Sequence, residues 1–176
     1  PGYANKDITN INRKRKRKKI RVGFVSSYLN YHSIYKTHGH WITKLNKQEF
    51  DVSVFHTGFK VDRATDTIKS AVDHYFYSQN IDEMIINVVS QQLDILIYLD
   101  IGMDPRINLM AALRLAPVQC NGGGHPVTSG LATVDYFLGS ELMEPCNGST
   151  HYSEELIRLP NLASSYPYPD TSIAIN

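Results

Sequence analysis

Apolar and polar positions alternate along this chain in short segments, and these segments predict a regular succession of strands and helices. β-branched and other apolar residues dominate Ile20–Ser26, Phe50–His56 and Asp94–Leu99, which is typical of β-strands. The third segment is almost uninterrupted in its apolar character, as in a parallel strand covered on both faces. We predict shorter strands at His74–Tyr77, Pro117–Cys120, Tyr136–Leu138 and Leu156–Leu159.

Segments with helical periodicity and capping residues lie between these strands. The predicted helices run from about Thr37 to Leu45, from an Asp62 or Thr65 cap to Ala71, over Glu83–Gln92 behind Asp82, and over Arg106–Leu113 behind Asp104-Pro105. Because strands and helices alternate, we predict an α/β fold with a Rossmann-like, doubly wound and mainly parallel sheet. Ligands bind such sheets beyond the carboxyl ends of the strands. The candidate loops are Ser26–Lys36, Asp100–Pro105 and Asn121–Gly130.

Composition and charge divide the chain into a globular part and a basic segment. The 176 residues are 42% apolar and 20% charged, which suits one folded domain. The net charge is only +1, yet seven of the 18 basic residues stand in Arg13–Lys19, and the remainder is acidic with a net charge of −6. We predict a basic linker at 1–19, a lobe at 20–165 and an extended tail at 166–176. Nuclear localisation or nucleic-acid binding is the alternative function of the basic run, although interleaved aromatic residues are missing from it.

The cysteine content and the hydropathy of the chain indicate its compartment. Cys120 and Cys146 form neither a disulfide framework nor a C-x-x-C pair, which favours a reducing, cytoplasmic location. The apolar runs fall short of the roughly 20 residues that span a bilayer, and the polar N-terminus lacks the apolar region of a signal peptide. The chain does not begin with Met, so we expect it to be a piece of a longer protein.

The loop Asn121–Gly130, with the sequence NGGGHPVTSG, is the strongest single motif. Three consecutive glycines let the backbone approach a ligand closely and adopt positive φ. Their amides suit a phosphate or a sugar hydroxyl, and Thr128 and Ser129 add hydroxyl groups. The loop matches neither the Walker pattern nor G-x-G-x-x-G. These features fit both a ligand-binding loop and a plain flexible turn.

His32 lies just beyond the first predicted strand, where it is a candidate general base or hydrogen-bond donor. The alternative is a solvated surface histidine. His32, His38 and His40 do not have zinc-site spacing, and no thiolate or carboxylate pair is near them in the sequence, so we predict no metal site. Asp104 fits the role of a helix cap better than that of a catalytic acid.

Several long segments, in the same order, resemble the catalytic region of the bacterial O-GlcNAc transferase family, the tetratricopeptide-linked relatives of the plant SPINDLY proteins. The resemblance runs from about Ile20 to Pro169. Its carriers are RVGFVSSYLNYH (21–32), DILIYLDIGMDP (94–105), LRLAPVQCNGGGHPVTSG (113–130), VDYFLGSELMEP (134–145) and HYSEELIRLPNL (151–162). The resemblance implies the N-terminal lobe of a GT-B fold. It also implies a C-terminal lobe that supplies most of the nucleotide-sugar pocket, and tetratricopeptide repeats before Pro1.

The function implied by the resemblance is the inverting transfer of a sugar, GlcNAc, from UDP-GlcNAc or a related donor to Ser/Thr hydroxyls of proteins. No metal or other cofactor is expected, and the isolated fragment is expected to be inactive. A non-catalytic Rossmann-like module that binds a partner is the alternative.

The resemblance also assigns roles to single residues. His32 corresponds to a cleft histidine considered as a base or an orienting residue, and Gly124 and Pro126 to residues that line the donor sugar. His125 stands where relatives have Tyr or His, and Thr128 belongs to the same substrate-binding loop. Relatives usually carry a Trp at the stretch occupied here by Gly122-Gly123, so we expect a looser loop and an altered activity or donor choice.

Overall fold

A computed structural model describes residues 18–164 and Tyr166. The predicted linker and tail therefore lie outside the described residues, apart from Lys18, Lys19 and Tyr166. The strands are β1 (Ile20–Ser26), β2 (Phe50–His56), β3 (His74–Tyr77), β4 (Ile95–Tyr98), β5 (Val118–Asn121), β6 (Tyr136–Ser140) and β7 (Glu155–Leu159). The helices are α1 (Ser33–Thr43), α2 (Arg63–Ala71), α3 (Ile81–Ser90) and α4 (Pro105–Ala111), with a 3-10 turn at Gly148–His151.

All seven strands form one parallel sheet in the order β3-β2-β1-β4-β5-β6-β7. The chain first builds outward from β1 to β3 and then returns to place β4 on the other side of β1. The strand order therefore reverses between β1 and β4, whose carboxyl ends form the topological switch point. This arrangement confirms the predicted Rossmann-like, doubly wound sheet.

Helices cover both faces of the sheet, which explains why the central strands are apolar on both sides. On one face α3 and α4 pack against the sheet through buried residues such as Met84 and Ile107. On the other face α1 and α2 contribute Ile34, Ile42 and Ile68. The two layers fix the carboxyl ends of the strands in place, and these ends carry the candidate loops.

Two helix starts differ from the predictions. Helix α1 begins at Ser33, four residues earlier than the predicted Thr37, because the side chain of His32 caps it. Helix α3 is capped by Asn80 and not by Asp82, since Asn80 Oδ1 accepts from the amides of Asp82 and Glu83. The predicted caps Asp62 and Asp104 are confirmed.

Within the described residues, no helix has both the length and the apolar character needed to cross a membrane. Cys120 is buried and Cys146 is exposed, and both are free thiols.

Candidate functional site

Three loops meet at the carboxyl edge of the sheet beside the switch point. They follow β1 (residues 27–32), β4 (residues 99–104) and β5 (residues 122–130), as predicted for a doubly wound sheet. Backbone hydrogen bonds join neighbouring loops to the strand ends: Leu99 N donates to Val25 O at 3.0 Å, and Gly122 N donates to Tyr98 O at 2.7 Å. The loops therefore form one continuous surface.

His32 lies at the end of the β1 loop and is half-buried. Its Nδ1 accepts a hydrogen bond from the backbone N–H of Ile34 at 3.2 Å, which makes it the N-cap of α1. Its ring stacks on Tyr28, with 4.5 Å between the ring centroids. The cap and the stacking partner together hold the imidazole in one orientation.

The cap also determines which ring nitrogen of His32 carries the proton. Partial burial, together with the positive charges of Lys60 and Lys36, lowers the pKa of His32 below its ordinary value, which favours the neutral ring. Because Nδ1 accepts from an amide, the proton of the neutral ring lies on Nε2. His32 is therefore equipped as a hydrogen-bond donor. The neutral ring in this tautomer accepts through Nδ1 and donates through Nε2.

Two aspartates of the β4 loop accept hydrogen bonds from the β1 loop. Asp100 is fully buried and its Oδ2 accepts from the backbone N–H of Ser27 at 2.9 Å. Asp104 accepts from Ser27 Oγ at 2.6 Å and from Arg106 Nη2 at 2.6 Å. Asp104 was predicted only as a helix cap, and Asp100 was not predicted as a site residue. An acidic residue that directly follows a buried strand was the available signal.

The two carboxyl groups ionise at very different pH. Burial raises the pKa of Asp100 to about 7, and the nearby charge of Asp104 contributes to the rise. Its Oδ1 is buried with no hydrogen-bond partner among the described residues, a poor environment for a carboxylate. Burial also acts to raise the pKa of Asp104, but hydrogen bonds from Arg106 and Ser27 lower it to about 2.

We predict that Asp100→Asn removes a pH dependence of stability. The folded pKa of about 7 lies above the ordinary value of 3.8. At Asp100 the folded state therefore binds more protons between these pH values, and this contribution to stability falls as the pH rises from 4 to 7. It reaches about 1.4 kcal/mol per pH unit, and it should be missing from the Asn variant, which mimics the protonated acid. Urea denaturation at pH 5 and pH 8 measures it, and an equal slope in both proteins would refute the assignment.

The glycine loop is packed against its surroundings. Gly122 O accepts from His38 Nε2 at 2.9 Å, and Gly123 N donates to Asn121 Oδ1 at 3.0 Å. A methyl group on Gly124 would collide with the carbonyl oxygen of Leu99 and with Ile34 Cδ1. These contacts do not support the looser loop that we expected from Gly122-Gly123. The glycines instead allow a close approach between the loop, β4 and α1.

A cleft of about 240 Å³ opens between α1 and the carboxyl ends of β5 and β6. Gly124 and Pro126 line it, together with Gly122-Gly123 of the same loop. Its other walls include Ile34, Thr37, His38, Trp41, Phe137 and Glu144. The cleft thus combines aromatic and aliphatic surface with a few polar groups, a combination common in small-molecule sites.

The other two predicted loop residues lie in a neighbouring depression of about 250 Å³. The exposed His125 packs over Gly102, which has no room for a side chain beneath the imidazole ring. Thr128 Oγ1 donates to Glu154 at 2.6 Å, and Ser129 N donates to the same carboxylate at 2.8 Å. The buried Glu154 therefore anchors this end of the loop, a role that the sequence analysis missed.

Comparison with known proteins decides the family. The model of glycosyl transferase family 41 matches residues 5–164, which is most of the chain. The chain belongs to glycosyl transferase family 41. The match confirms the resemblance found in the sequence, and it begins within the segment predicted as a linker.

Curated relatives of this family 41 chain are considerably longer. It is 28% identical over 149 residues to the probable UDP-N-acetylglucosamine–peptide N-acetylglucosaminyltransferase SEC of Arabidopsis thaliana, covering 82% of the chain and 15% of the relative. It is 29% identical to SPINDLY of the same plant, covering 97% of the chain and 19% of SPINDLY. A UDP-glucose:protein N-beta-glucosyltransferase of Actinobacillus pleuropneumoniae is 25% identical, covering 98% of the chain and 27% of the relative. The family 41 chain thus spans less than a third of these relatives.

A solved structure shows the same fold. The K341M mutant of Thermobaculum terrenum O-GlcNAc transferase superposes with a TM-score of 0.80 and 24% identity, covering 87% of the family 41 chain and 30% of the transferase chain. The seven-stranded parallel sheet is therefore the Rossmann-like lobe found in that enzyme.

Among the described residues of this family 41 lobe, no group of three or more His, Cys, Asp or Glu side chains is arranged to hold a metal ion. His38 and His40 are separated by the helix, since His38 lines the cleft and His40 lines a groove between α1 and α2.

Proposed function

We propose that this lobe forms one wall of a glycosyltransfer site. In the whole protein that site moves GlcNAc from UDP-GlcNAc to Ser/Thr hydroxyls of proteins, with inversion at the anomeric carbon. One observation carries the proposal: the family match covers residues 5–164, and these include the cleft lined by Gly124 and Pro126. The names of SEC and SPINDLY, both probable UDP-N-acetylglucosamine–peptide N-acetylglucosaminyltransferases, support this donor and a peptide acceptor.

The chemistry of the transfer divides the work between two lobes. When a hydroxyl attacks the anomeric carbon, positive charge develops on the sugar and negative charge on the departing diphosphate. The described cleft offers hydroxyl groups, aromatic rings and glycine backbone, which suit a sugar more than a diphosphate. We therefore assign sugar positioning and acceptor orientation to this lobe, and stabilisation of the diphosphate to a C-terminal lobe.

His32 has the role of an orienting donor in this proposal. With its proton on Nε2, it can donate a hydrogen bond to the acceptor hydroxyl or to a sugar oxygen. Such a bond holds the reacting oxygen in line for attack. Gly124 and Pro126 form the wall against the sugar, while His125 and Thr128 border the neighbouring depression and reach the substrate from that side.

The remaining parts of the proposal concern the rest of the protein. The proposal includes tetratricopeptide repeats upstream of this chain, a C-terminal lobe downstream of it and a cytoplasmic location. Because the second lobe would supply most donor contacts, the isolated chain should show no transfer. The basic run Arg13–Lys19 serves as a linker in this proposal and not as a nucleic-acid site.

Mass spectrometry of a peptide library tests the proposed function. The full-length protein is incubated with UDP-GlcNAc or UDP-glucose, and modified residues are mapped. Addition of N-acetylhexosamine to Ser or Thr is the expected result. Addition of glucose through an N-linkage would replace the proposed donor and linkage with those in the name of the Actinobacillus relative. Saturable donor binding without any transfer would support the non-catalytic module instead.

A further inference from the structure

His38 connects α1 to the glycine loop across 84 residues of sequence. It is 6% exposed, and its Nε2 lies 2.9 Å from the carbonyl oxygen of Gly122. The ring of Trp41, one turn further along α1, meets the imidazole edge-on with 4.7 Å between centroids. The imidazole is therefore enclosed by the helix, the loop and an aromatic ring.

The shortest contact of each ring nitrogen of His38 selects one neutral tautomer, while Ile34 O lies further from Nδ1, at 3.3 Å. A carbonyl oxygen only accepts, so Nε2 carries the proton that is donated to Gly122. Nδ1 is then bare and accepts the hydroxyl hydrogen of Thr37, whose Oγ1 lies at 2.6 Å. Burial lowers the pKa of His38, which favours this neutral form. Both ring nitrogens are satisfied, as buried polar groups require.

The bond to Gly122 acts on the part of the loop that lines the cleft. Gly122 already donates its N–H to Tyr98 O at 2.7 Å, so its carbonyl is the remaining point of attachment. The next residues, Gly123 and Gly124, have no side chains that could hold them. A glycine run loses much conformational freedom on ordering, and therefore needs an external contact to stay in one conformation.

We propose that His38 is a positioning residue: its Nε2–H bond to Gly122 O holds Gly122–Pro126 as a fixed wall of the cleft and thereby sets the affinity for the donor sugar. The effect on donor affinity rests on the proposed function, while the effect on the conformation of Gly122–Pro126 does not. Trp41 and Thr37 support the role by fixing the plane and the tautomer of the imidazole.

Variants of the full-length protein separate the hydrogen bond from the bulk of the side chain. His38→Leu fills the site without a donor, whereas His38→Gln restores an N–H that can reach Gly122 O. We expect KM for UDP-GlcNAc to rise about tenfold in the Leu variant with kcat within about twofold, because a fixed wall contributes to ground state and transition state alike. The Gln variant should stay within about threefold of the wild type. His40→Leu, on the other side of α1, should match the wild type.

Hydrogen exchange of the loop amides provides a readout that does not depend on activity. Exchange across 123–130 should accelerate in the Leu variant and stay close to wild type in the Gln and His40 variants. Unchanged loop exchange in the Leu variant would show that His38 does not hold the loop. Equal rises of KM in the Leu and Gln variants would show that loss of the hydrogen bond is not the cause of the weaker donor affinity. A wild-type protein that transfers no sugar would refute the proposed function, while the exchange data would still decide the role of His38.

Discussion

Replacing His32 with Asn should lower kcat/KM for sugar transfer by about 100-fold while leaving the fold nearly as stable as before. The loss follows because a donor oriented toward a reacting oxygen typically contributes at least that factor. Stability is preserved because Asn is a good N-cap and can accept from the amide of Ile34 as His32 does. Steady-state kinetics and thermal unfolding of the full-length protein measure the two effects.

His32→Ala is the matched comparison, because it removes both the imidazole and the cap. It should lose transfer to a similar extent and also lose about 1 kcal/mol of stability. Wild-type turnover in the Asn variant would remove His32 from the mechanism. A loss confined to the Ala variant would reduce its role to capping α1.

Gly124→Ala is the second change with a large expected effect. The added methyl group would collide with the carbonyl oxygen of Leu99 and with Ile34 Cδ1. Leu99 directly follows β4 and cannot move aside easily, because its backbone N–H donates to Val25 O at 3.0 Å. We expect a loss of about 3 kcal/mol or more in the free energy of unfolding, together with loss of donor binding. Chemical denaturation and calorimetry with UDP-GlcNAc measure these quantities.

Gly39→Ala is the control for this prediction. Gly39 lies within α1, and a methyl group there would meet only the flexible ring of Tyr35 at 3.1 Å. Alanine is also favoured in a helix, so the change should cost less than about 1 kcal/mol. Equal stability of the Gly124 variant and the wild type would show that the loop is not packed as described.

Local patterns were sufficient to predict the architecture. Runs such as Ile20–Ser26 and Phe50–His56 gave the bounds of β1 and β2, and the alternation of strands with helices indicated the parallel sheet. Asp62 and Asp104 were recognisable caps, because the capping signal lies within a few residues. The position of the glycine loop followed from the rule that functional loops lie at the carboxyl ends of strands.

The contacts that organise the candidate site were not predictable in the same way. The bond from His38 to Gly122 spans 84 residues, and the bond from Ser27 to Asp100 spans 73. Such pairs depend on the order of strands in the sheet, which no local pattern specifies. The close packing of Gly122–Gly124 was not predictable for the same reason, since helix α1 and the end of strand β4 press against the loop.

Soaking crystals of the full-length protein with UDP-GlcNAc and an acceptor peptide would test the central claim most directly. We predict that the sugar ring lies against Gly124 and Pro126, with His32 Nε2 within hydrogen-bond distance of the acceptor hydroxyl or of a sugar oxygen. A sugar bound away from this edge of the sheet, with His32 and the glycine loop untouched, would contradict the account.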